Sequence, residues 1–184
     1  IFSVLLRPKW SPERHQLVTP ALALATVEVL EKFGLRTSVK WPNDVMIGVD
    51  NYKKVAGILA EYVQQENPVL IVGMGLNVSW PQQKDSAPPN STSLIACGVG
   101  KDRSELLVEI LKNFEERLIE ISSEKGDATF RQAYMAKSSI IGNQVKVEHI
   151  NGDTVGKAVD IKKDGSLIIE NENGTTSITE GDVI

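Results

Sequence analysis

Apolar residues recur at helical spacing in the segment WSPERHQLVTPALALATVEVLEKFG, residues 10–34. Ser11 is a suitable N-cap and Pro12 suits a first helical position, while Gly34 suits the end of a helix. Pro20 indicates a kink or a later start, because proline interrupts the hydrogen bonds of a helix interior. The residues that share one predicted face are Val18, Leu22, Ala25, Val29 and Phe33.

Strand-like runs follow this helix: RTSVKW, DVMIGV, KKVAGILAEYV and PVLIVGMGLNVSW. The second and third runs are joined near Asp50-Asn51, a pair that favours turns. The run VLIVGMGL is apolar throughout, which predicts an interior strand covered on both faces. Trp10 and Trp80 flank this region, and rim or core packing is favoured for both over a role in capping a cleft.

A Pro-rich loop is predicted over residues 81–92, followed by a helix over residues 102–122 and a shorter helix over 126–137. Asp102 with Glu105 resembles a capping box at the start of the first of these helices. Its predicted apolar face contains Leu107, Ile110, Phe114, Leu118 and Ile121.

The pattern changes after residue 137 to short β-type runs separated by turn pairs. These pairs are Asn151-Gly152, Asp164-Gly165 and Asn173-Gly174, which favour hairpins because their turns need positive φ. The chain is therefore predicted to have α+β architecture, with one domain over residues 1–137 and a small antiparallel barrel or sheet over 138–184.

Composition narrows the class of protein. The chain has 184 residues, of which 41% are hydrophobic, enough for a real core. Residues 138–184 hold four lysines against eight acidic residues, which accounts for the whole net charge of −4. With no basic stripe, binding to nucleic-acid phosphates is disfavoured.

Other features of the sequence indicate a reducing, cytoplasmic setting. Cys97 is the single cysteine, so no internal disulfide forms, and it is expected to be a small buried apolar residue. No apolar run reaches the length of a membrane helix, and no signal peptide is recognisable. The chain starts at Ile1 inside a β-type run, so we expect that it begins within a fold.

Polar residues interrupt the apolar runs at SVKWPNDVMIGVDNYKKVAGILAEY, residues 38–62. One interpretation is an ordinary Pro-Asn-Asp turn with solvated lysines at a hairpin mouth. The other is a cleft in which Lys40 and Lys54 face an anionic ligand, with Asn43 and Asp44 beside them and Gly57 allowing close approach. In that interpretation Asp44 can hold a magnesium ion.

A second group is Gly73-Met74-Gly75-Leu76-Asn77. Two strand glycines weaken a strand by about 0.5–1 kcal/mol each, which suggests a need for flat backbone under a planar ligand. Asn77 carries both a donor and acceptors and can read the edge of a base such as adenine. The alternative is glycines that simply pack beneath the first helix.

Together these motifs resemble the biotin protein ligases. The resemblance rests on KWPND at residues 40–44, KVAGIL at 54–59 and GxGLN at 73–77, in that order and spacing, and on the tail GKAVDIKKDGSLIIENENGTTSITEGDVI. It covers nearly all of the chain. It implies a catalytic sheet similar to that of class II aminoacyl-tRNA synthetases, followed by a barrel of the Src-homology-3 type.

The resemblance also implies an activity: ATP-dependent formation of biotinyl-5′-AMP, and transfer of biotin to a lysine of a biotin carboxyl carrier domain. Lys54 would contact the biotin carboxylate and the reacting phosphate, and Lys40 would stabilise charge during adenylation. Asn43 and Asp44 would line the adenylate and magnesium region, and Asn77 would recognise adenine. The floor of the site would be shaped by Gly57, Gly73 and Gly75.

Two rivals remain open at this level: a lipoate–protein ligase, and a non-catalytic module that binds a carrier domain or senses biotin. The KWPND element favours biotin over lipoate. The arginine-rich loop of the family, Gly-Arg-Gly-Arg-x-Gly-Arg, has no match in residues 1–184, nor has the DNA-binding domain of some members. We therefore expect this chain alone to bind biotin weakly. Many members of the family form homodimers through the central sheet.

Overall fold

The structure is a computed structural model that describes residues 1–49, 51–79, 88–149 and 152–184. Three sequence predictions fall wholly or partly outside these ranges. They are the turn at Asp50, the position of Trp80 with most of the Pro-rich loop that follows it, and the first residue of the Asn151-Gly152 turn.

A five-stranded antiparallel sheet forms the larger part of the protein, with strand order β1-β5-β4-β3-β2. The four predicted strand runs are confirmed as β2 to β5, and β4 coincides with the predicted KKVAGILAEYV. The bounds are β1 Phe2–Leu6, β2 Thr37–Lys40, β3 Asp44–Ile47, β4 Lys53–Val63 and β5 Val69–Leu76.

The first predicted helix begins later than its N-terminal signals indicated. A 3₁₀ helix occupies Pro12–Leu17, and the α-helix α1 spans Val18–Glu31. Ser11 occupies the N-cap position, but of the 3₁₀ helix rather than of α1, and its side chain makes no capping hydrogen bond. Pro20 lies in the first turn of α1, where its missing N–H has no intrahelical partner to lose. Gly34 ends the region with φ of 79°, as predicted.

Helix α1 is buried on nearly all sides, not along a single stripe, because it lies between the sheet and two further helices, α2 and α3. Helix α2 spans Arg103–Ile121 and α3 spans Glu124–Lys137. Asp102 caps α2 by accepting hydrogen bonds from the amides of Ser104 and Glu105, so its predicted position as N-cap is confirmed. The residues of α2 that are buried are Leu106, Ile110, Phe114 and Ile121.

Strand β5 departs from its prediction as a strand covered on both faces. It pairs with β1 and β4, and one face, carrying Val72 and Met74, is buried against the core. The other face carries Gly73 and Gly75 and borders an open groove. The glycines have no side chains, so this face looks apolar in sequence and yet fills no space.

A second five-stranded antiparallel sheet, with order β10-β6-β7-β8-β9, follows α3. Gly165 and Gly174 adopt φ of 86° and 112° in its hairpin turns, as the turn pairs predicted. The α+β class and the C-terminal β unit are confirmed. The bounds are β6 Gln144–Glu148, β7 Thr154–Ile161, β8 Leu167–Asn171, β9 Gly174–Ile178 and β10 Asp182–Val183.

Within the described ranges, no helix combines the length and the apolar character that crossing a bilayer requires. Cys97 is a free thiol and is half-buried rather than buried as expected. Its Sγ lies 3.4 Å from Oγ1 of Thr92.

Candidate active site

A single row of paired residues crosses four strands of the larger sheet. Lys40 on β2 lies opposite Asp44 on β3, Asp44 lies opposite Gly57 on β4, and Gly57 lies opposite Gly75 on β5. Directly paired residues of an antiparallel sheet project to the same face. The other face is the one that α1 covers, so this row borders the open face of the sheet.

Lys54 reaches this face because the pairing of β3 and β4 contains a bulge. Val45 pairs with Ala56, whereas Met46 pairs with Lys54, so that Val55 is an extra residue. Val55 and Ala56 are consecutive and are both buried. In a regular strand, residues 54 and 57 would project to opposite faces. The bulge redirects Lys54 to the side of Gly57, as bulges beside functional sites often do.

The Lys54 ammonium lies 2.5 Å from Oδ1 of Asp44. This oxygen is buried and has no well-aligned hydrogen bond, so the contact is an ion pair of poor directionality. The Lys54 side chain is 45% exposed and that of Asp44 is 19% exposed. A pair this exposed contributes little to folding stability. Its main effect is to hold one cation and one carboxylate at the same point of the sheet.

Gly57 provides the space in which the Lys54 side chain lies. A Cβ at this position would come within 3.1 Å of the Lys54 Cε atom, 3.2 Å of its Nζ atom and 3.7 Å of Asp44 Oδ1. Any residue other than glycine would therefore push the ammonium out of its observed position. The sequence predicted that Gly57 lets a ligand come close, whereas in the structure the group that comes close is the Lys54 side chain.

A groove of about 330 Å³ runs over this face, and four of the predicted residues line it: Asn43, Gly57, Gly73 and Gly75. Gly73 faces Ser3 of β1, whose Oγ would lie 3.1 Å from an added Cβ. Among the described residues, a Cβ added to Gly75 would have Ile1 as its one neighbour within 4 Å. The two strand glycines thus leave flat backbone as the floor of the groove.

Asn77 lines a second groove of about 400 Å³, next to Arg103 at the start of α2. Its side-chain Nδ2 donates to the carbonyl of Thr92 at 3.1 Å, which orients the amide. Ile1 lines both grooves, so they adjoin. Ligand pockets generally measure about 300–1,000 Å³. Together the two grooves form an extended site with a cationic region beside it.

Residues 90–92 connect the two parts of the site, and sequence reasoning missed them. The amide of Lys54 donates to the carbonyl of Asn90 at 2.8 Å, and the amide of Thr92 donates to the carbonyl of Lys54 at 2.9 Å. Thr92 also accepts from Asn77. The sequence showed only the end of a Pro-rich loop there. No local signal could have revealed its pairing beside β4.

The remaining predicted residues occupy the turn between β2 and β3. The carbonyl of Asn43 accepts from the amide of Ile58 at 2.9 Å, which fastens the turn to β4. Lys40 is half-buried and makes no ion pair within the described ranges. In the same ranges, no cluster of three His, Cys, Asp or Glu side chains exists that could hold a metal ion. Glu61 is a carboxylate that lines the first groove, and Asp44 lies beside that groove, in the row with Gly57.

The geometry suits chemistry on an anionic ligand that needs cations fixed beside flat backbone and a polar amide further along. The sequence profile of the Biotin/lipoate A/B protein ligase family matches residues 1–79, and that of the Biotin protein ligase C terminal domain matches residues 140–184. The two matches correspond to the larger sheet with its site and to the smaller sheet. The fold and the two matches therefore place the chain in the biotin/lipoate protein ligase class.

Known relatives narrow the class further. The chain is 35% identical to Biotin--[acetyl-CoA-carboxylase] ligase of Mycobacterium tuberculosis, over 91% of this chain and 57% of that protein. It is 33% identical to Bifunctional ligase/repressor BirA of Bacillus spizizenii, over 98% of this chain and 56% of that protein. The chain thus spans somewhat more than half the length of these curated relatives.

Solved structures of biotin protein ligases also resemble this chain. The apo structure of biotin protein ligase from Aquifex aeolicus is 31% identical, with a TM-score of 0.82, and the match covers all of this chain and 80% of that one. The same enzyme in complex with biotin and ATP matches with a TM-score of 0.78 over 76% of its chain. This chain belongs to the biotin protein ligase family.

Proposed function

We propose that the protein catalyses ATP-dependent biotinylation. In the first step a carboxylate oxygen of biotin attacks the α-phosphorus of ATP, and the bond to pyrophosphate breaks, which yields biotinyl-5′-AMP. In the second step a lysine amine of a biotin carboxyl carrier domain attacks the activated carbonyl. An amide forms and AMP leaves with the electron pair of the broken bond.

The observation that carries this proposal is the row Lys40–Asp44–Gly57–Gly75, with Lys54 brought to the same face. Two negative groups must approach each other during adenylation, and cations fixed at that point screen their repulsion. In this proposal Lys54 contacts the biotin carboxylate and the α-phosphate, and Lys40 stabilises the charge that moves toward pyrophosphate.

The two grooves divide the substrate between them in this proposal. The glycine-floored groove, bordered by Asn43, takes biotin and the phosphate junction. The second groove takes adenine, which Asn77 recognises through its amide. The complex of the Aquifex aeolicus relative with biotin and ATP supports the choice of ligands.

Asp44 offers one carboxylate that can hold a magnesium ion. Mg²⁺ is commonly held by one or two carboxylates together with substrate phosphates rather than by a complete protein cage. Asp44 would be the protein ligand, and the ion would supply charge neutralisation on the phosphates. Asp44 would also keep Lys54 oriented through their contact.

The proposal also includes the acceptor protein, the cellular location, the assembly and the domain division. The acceptor is a biotin carboxyl carrier domain of a carboxylase, the protein acts in the cytoplasm, and it can form homodimers. We also propose that residues 1–137 and 138–184 are separate domains, since α3 ends at Lys137 and the second sheet follows. The M. tuberculosis relative, named for its acetyl-CoA-carboxylase acceptor, supports the choice of partner.

Pyrophosphate release from ATP tests the proposal directly. We expect release with biotin and much less with lipoate, since the C-terminal profile match is to biotin protein ligases. The assay should be run on this chain and on the chain preceded by a segment that carries the arginine-rich loop of the family. Release with lipoate alone would favour a lipoate ligase. Carrier binding without release from either version would favour a non-catalytic module.

A further inference from the structure

Trp41 lies inside the motif that carries Lys40, Asn43 and Asp44, yet it packs into the other sheet. It is 4% exposed and belongs to the hydrophobic cluster of the C-terminal β unit. The residues of that cluster besides Trp41 are Ile140, Val145, Val147, Ala158, Leu167, Ile169, Ile178 and Val183. The turn that bears the site residues is thus anchored in a core to which its own sheet does not contribute.

The indole of Trp41 also makes a specific hydrogen bond. Its Nε1 donates to the carbonyl of Gly165 at 3.0 Å, in the hairpin between β7 and β8. That hairpin is held in shape by hydrogen bonds of its own. The amide of Gly165 donates to the backbone carbonyl of Lys162, and the carboxylate of Asp164 accepts from both the amide and the hydroxyl of Ser166. Burial raises the pKa of Asp164, but the hydrogen bonds from Ser166 and the charge of Lys162 together outweigh it, so that the pKa lies below its usual value.

The backbone on either side of Trp41 is fastened as well. The carbonyl of Val39 accepts from the amide of Ser139 at 2.9 Å and from its hydroxyl at 3.2 Å. On the other side, Asn43 is bonded to Ile58 of β4. The β2–β3 turn is therefore held at one end by the segment that leads into the smaller sheet and at the other by the larger sheet.

We propose that Trp41 is a positioning residue, through which the C-terminal β unit fixes the Lys40–Asp44 turn in the geometry that adenylation requires. This inference rests on the proposed function. Trp41 is buried in the hydrophobic cluster of the C-terminal β unit, so it acts through its neighbours. A displacement of about 1 Å in a catalytic group can lower a rate by about 100-fold. A rigid, buried aromatic anchor beside the reactive lysine and aspartate prevents such a displacement.

The test compares Trp41→Phe with Trp10→Phe. The first keeps an aromatic ring in the cluster and removes the donor to Gly165. The second removes the indole N–H of Trp10, which is buried and has no hydrogen-bond partner among the described residues. Both variants therefore lose an indole N–H, but only the N–H of Trp41 connects the turn to the smaller sheet.

Two quantities are measured for each variant: kcat and KM for biotin-dependent pyrophosphate release, and amide hydrogen exchange at Ile58, Ser139 and Val72. In Trp41→Phe we expect kcat per folded molecule to fall by about 10- to 100-fold with little change in KM. Exchange should accelerate at Ile58 and Ser139, which bond to the turn, and stay unchanged at Val72 in the core. Trp10→Phe should change neither quantity. Loss of stability alone would not produce this combination.

If Trp41→Phe fails to fold, Ser139→Ala provides a milder change, because it removes one of the two hydrogen bonds to Val39. It should lower kcat in the same direction by a smaller factor. A normal kcat in a folded Trp41→Phe, or unchanged exchange at Ile58 and Ser139, would overturn the positioning role alone. Absence of pyrophosphate release from the unaltered protein, with the arginine-rich segment supplied, would overturn the proposed function and the positioning role together.

Discussion

The Lys54 ammonium lies 2.5 Å from Oδ1 of Asp44, although the two residues are ten positions apart in the chain and belong to neighbouring strands. The contact exists because a bulge at Val55 turns Lys54 toward the open face of the sheet. It brings the cation and the carboxylate of two separate sequence motifs to one point. Removing one of the two side chains, or filling the space around them, is therefore expected to slow catalysis.

Replacing Lys54 with alanine should lower the rate of biotinyl-5′-AMP formation by about 10²–10³-fold, because one preorganised positive group is lost from the transition state. The variant should remain folded, since the side chain is 45% exposed and its ion pair contributes little to stability. Pyrophosphate release measures the rate, and circular dichroism checks the fold. Lys53→Ala is the matched control, because Lys53 is the adjacent, exposed lysine. Equal rates for the two variants would contradict the assignment.

Gly57→Ala should impair the reaction without unfolding the protein. The added Cβ would approach the Lys54 Cε and Nζ atoms to 3.1 and 3.2 Å, so the flexible end of the lysine must move away from Asp44. We expect kcat to fall by about 10-fold or more. Thermal unfolding should change little, because only a mobile side chain has to shift. Gly100→Ala is the control, since no described residue lies within 4 Å of a Cβ at that position. An unaltered kcat in Gly57→Ala would show that the position of the ammonium is not critical.

Asn77→Ala should weaken ATP binding selectively. One hydrogen bond to a ligand contributes about 0.5–1.5 kcal/mol, so we expect the KM for ATP to rise by up to about 10-fold while the KM for biotin changes little. Steady-state kinetics with each substrate varied in turn measures both constants. Asn113→Ala serves as the control, because the Asn113 amide donates within α2, to the carbonyl of Glu109. A rise in the KM for biotin rather than ATP would place the adenine elsewhere.

Asp102→Ala should lower the melting temperature in a pH-dependent manner. The amides of Ser104 and Glu105 donate to the Asp102 carboxylate and hold its pKa below the usual value. Because the carboxyl pKa is lowered in the folded state, the charged cap stabilises the fold fully above the pKa of the unfolded state. This stabilisation disappears as the pH falls through the pKa of the folded state. We expect the variant to melt about 2–4 °C lower at pH 7. Calorimetry should show that the difference shrinks steadily below about pH 4. A difference that does not depend on pH would contradict the capping role of the charge.

The chain's local patterns were sufficient for most of the secondary structure. The KKVAGILAEYV strand, the helix after Asp102 and the hairpin glycines follow from periodicity, capping and turn chemistry, which are properties of neighbouring residues. The later start of α1 is one of the two outcomes that Pro20 indicated, whereas the 3₁₀ helix before it was not predicted, because Ser11 and Pro12 suit the start of either kind of helix. The open face of β5 was missed because a glycine reads as apolar but covers nothing.

The amino-acid sequence by itself indicated the lysine, aspartate, asparagine and glycine residues of the candidate site, because their motifs are recognisable locally, but it gave no signal for residues 90–92. Only the tertiary structure decided how they meet. Strand register sets the row from Lys40 to Gly75, a bulge orients Lys54, and the smaller sheet takes up Trp41. These relationships join residues far apart in the chain, and no local propensity encodes them. They arise from the burial of apolar faces against one another, which selects one pairing of the strands out of many.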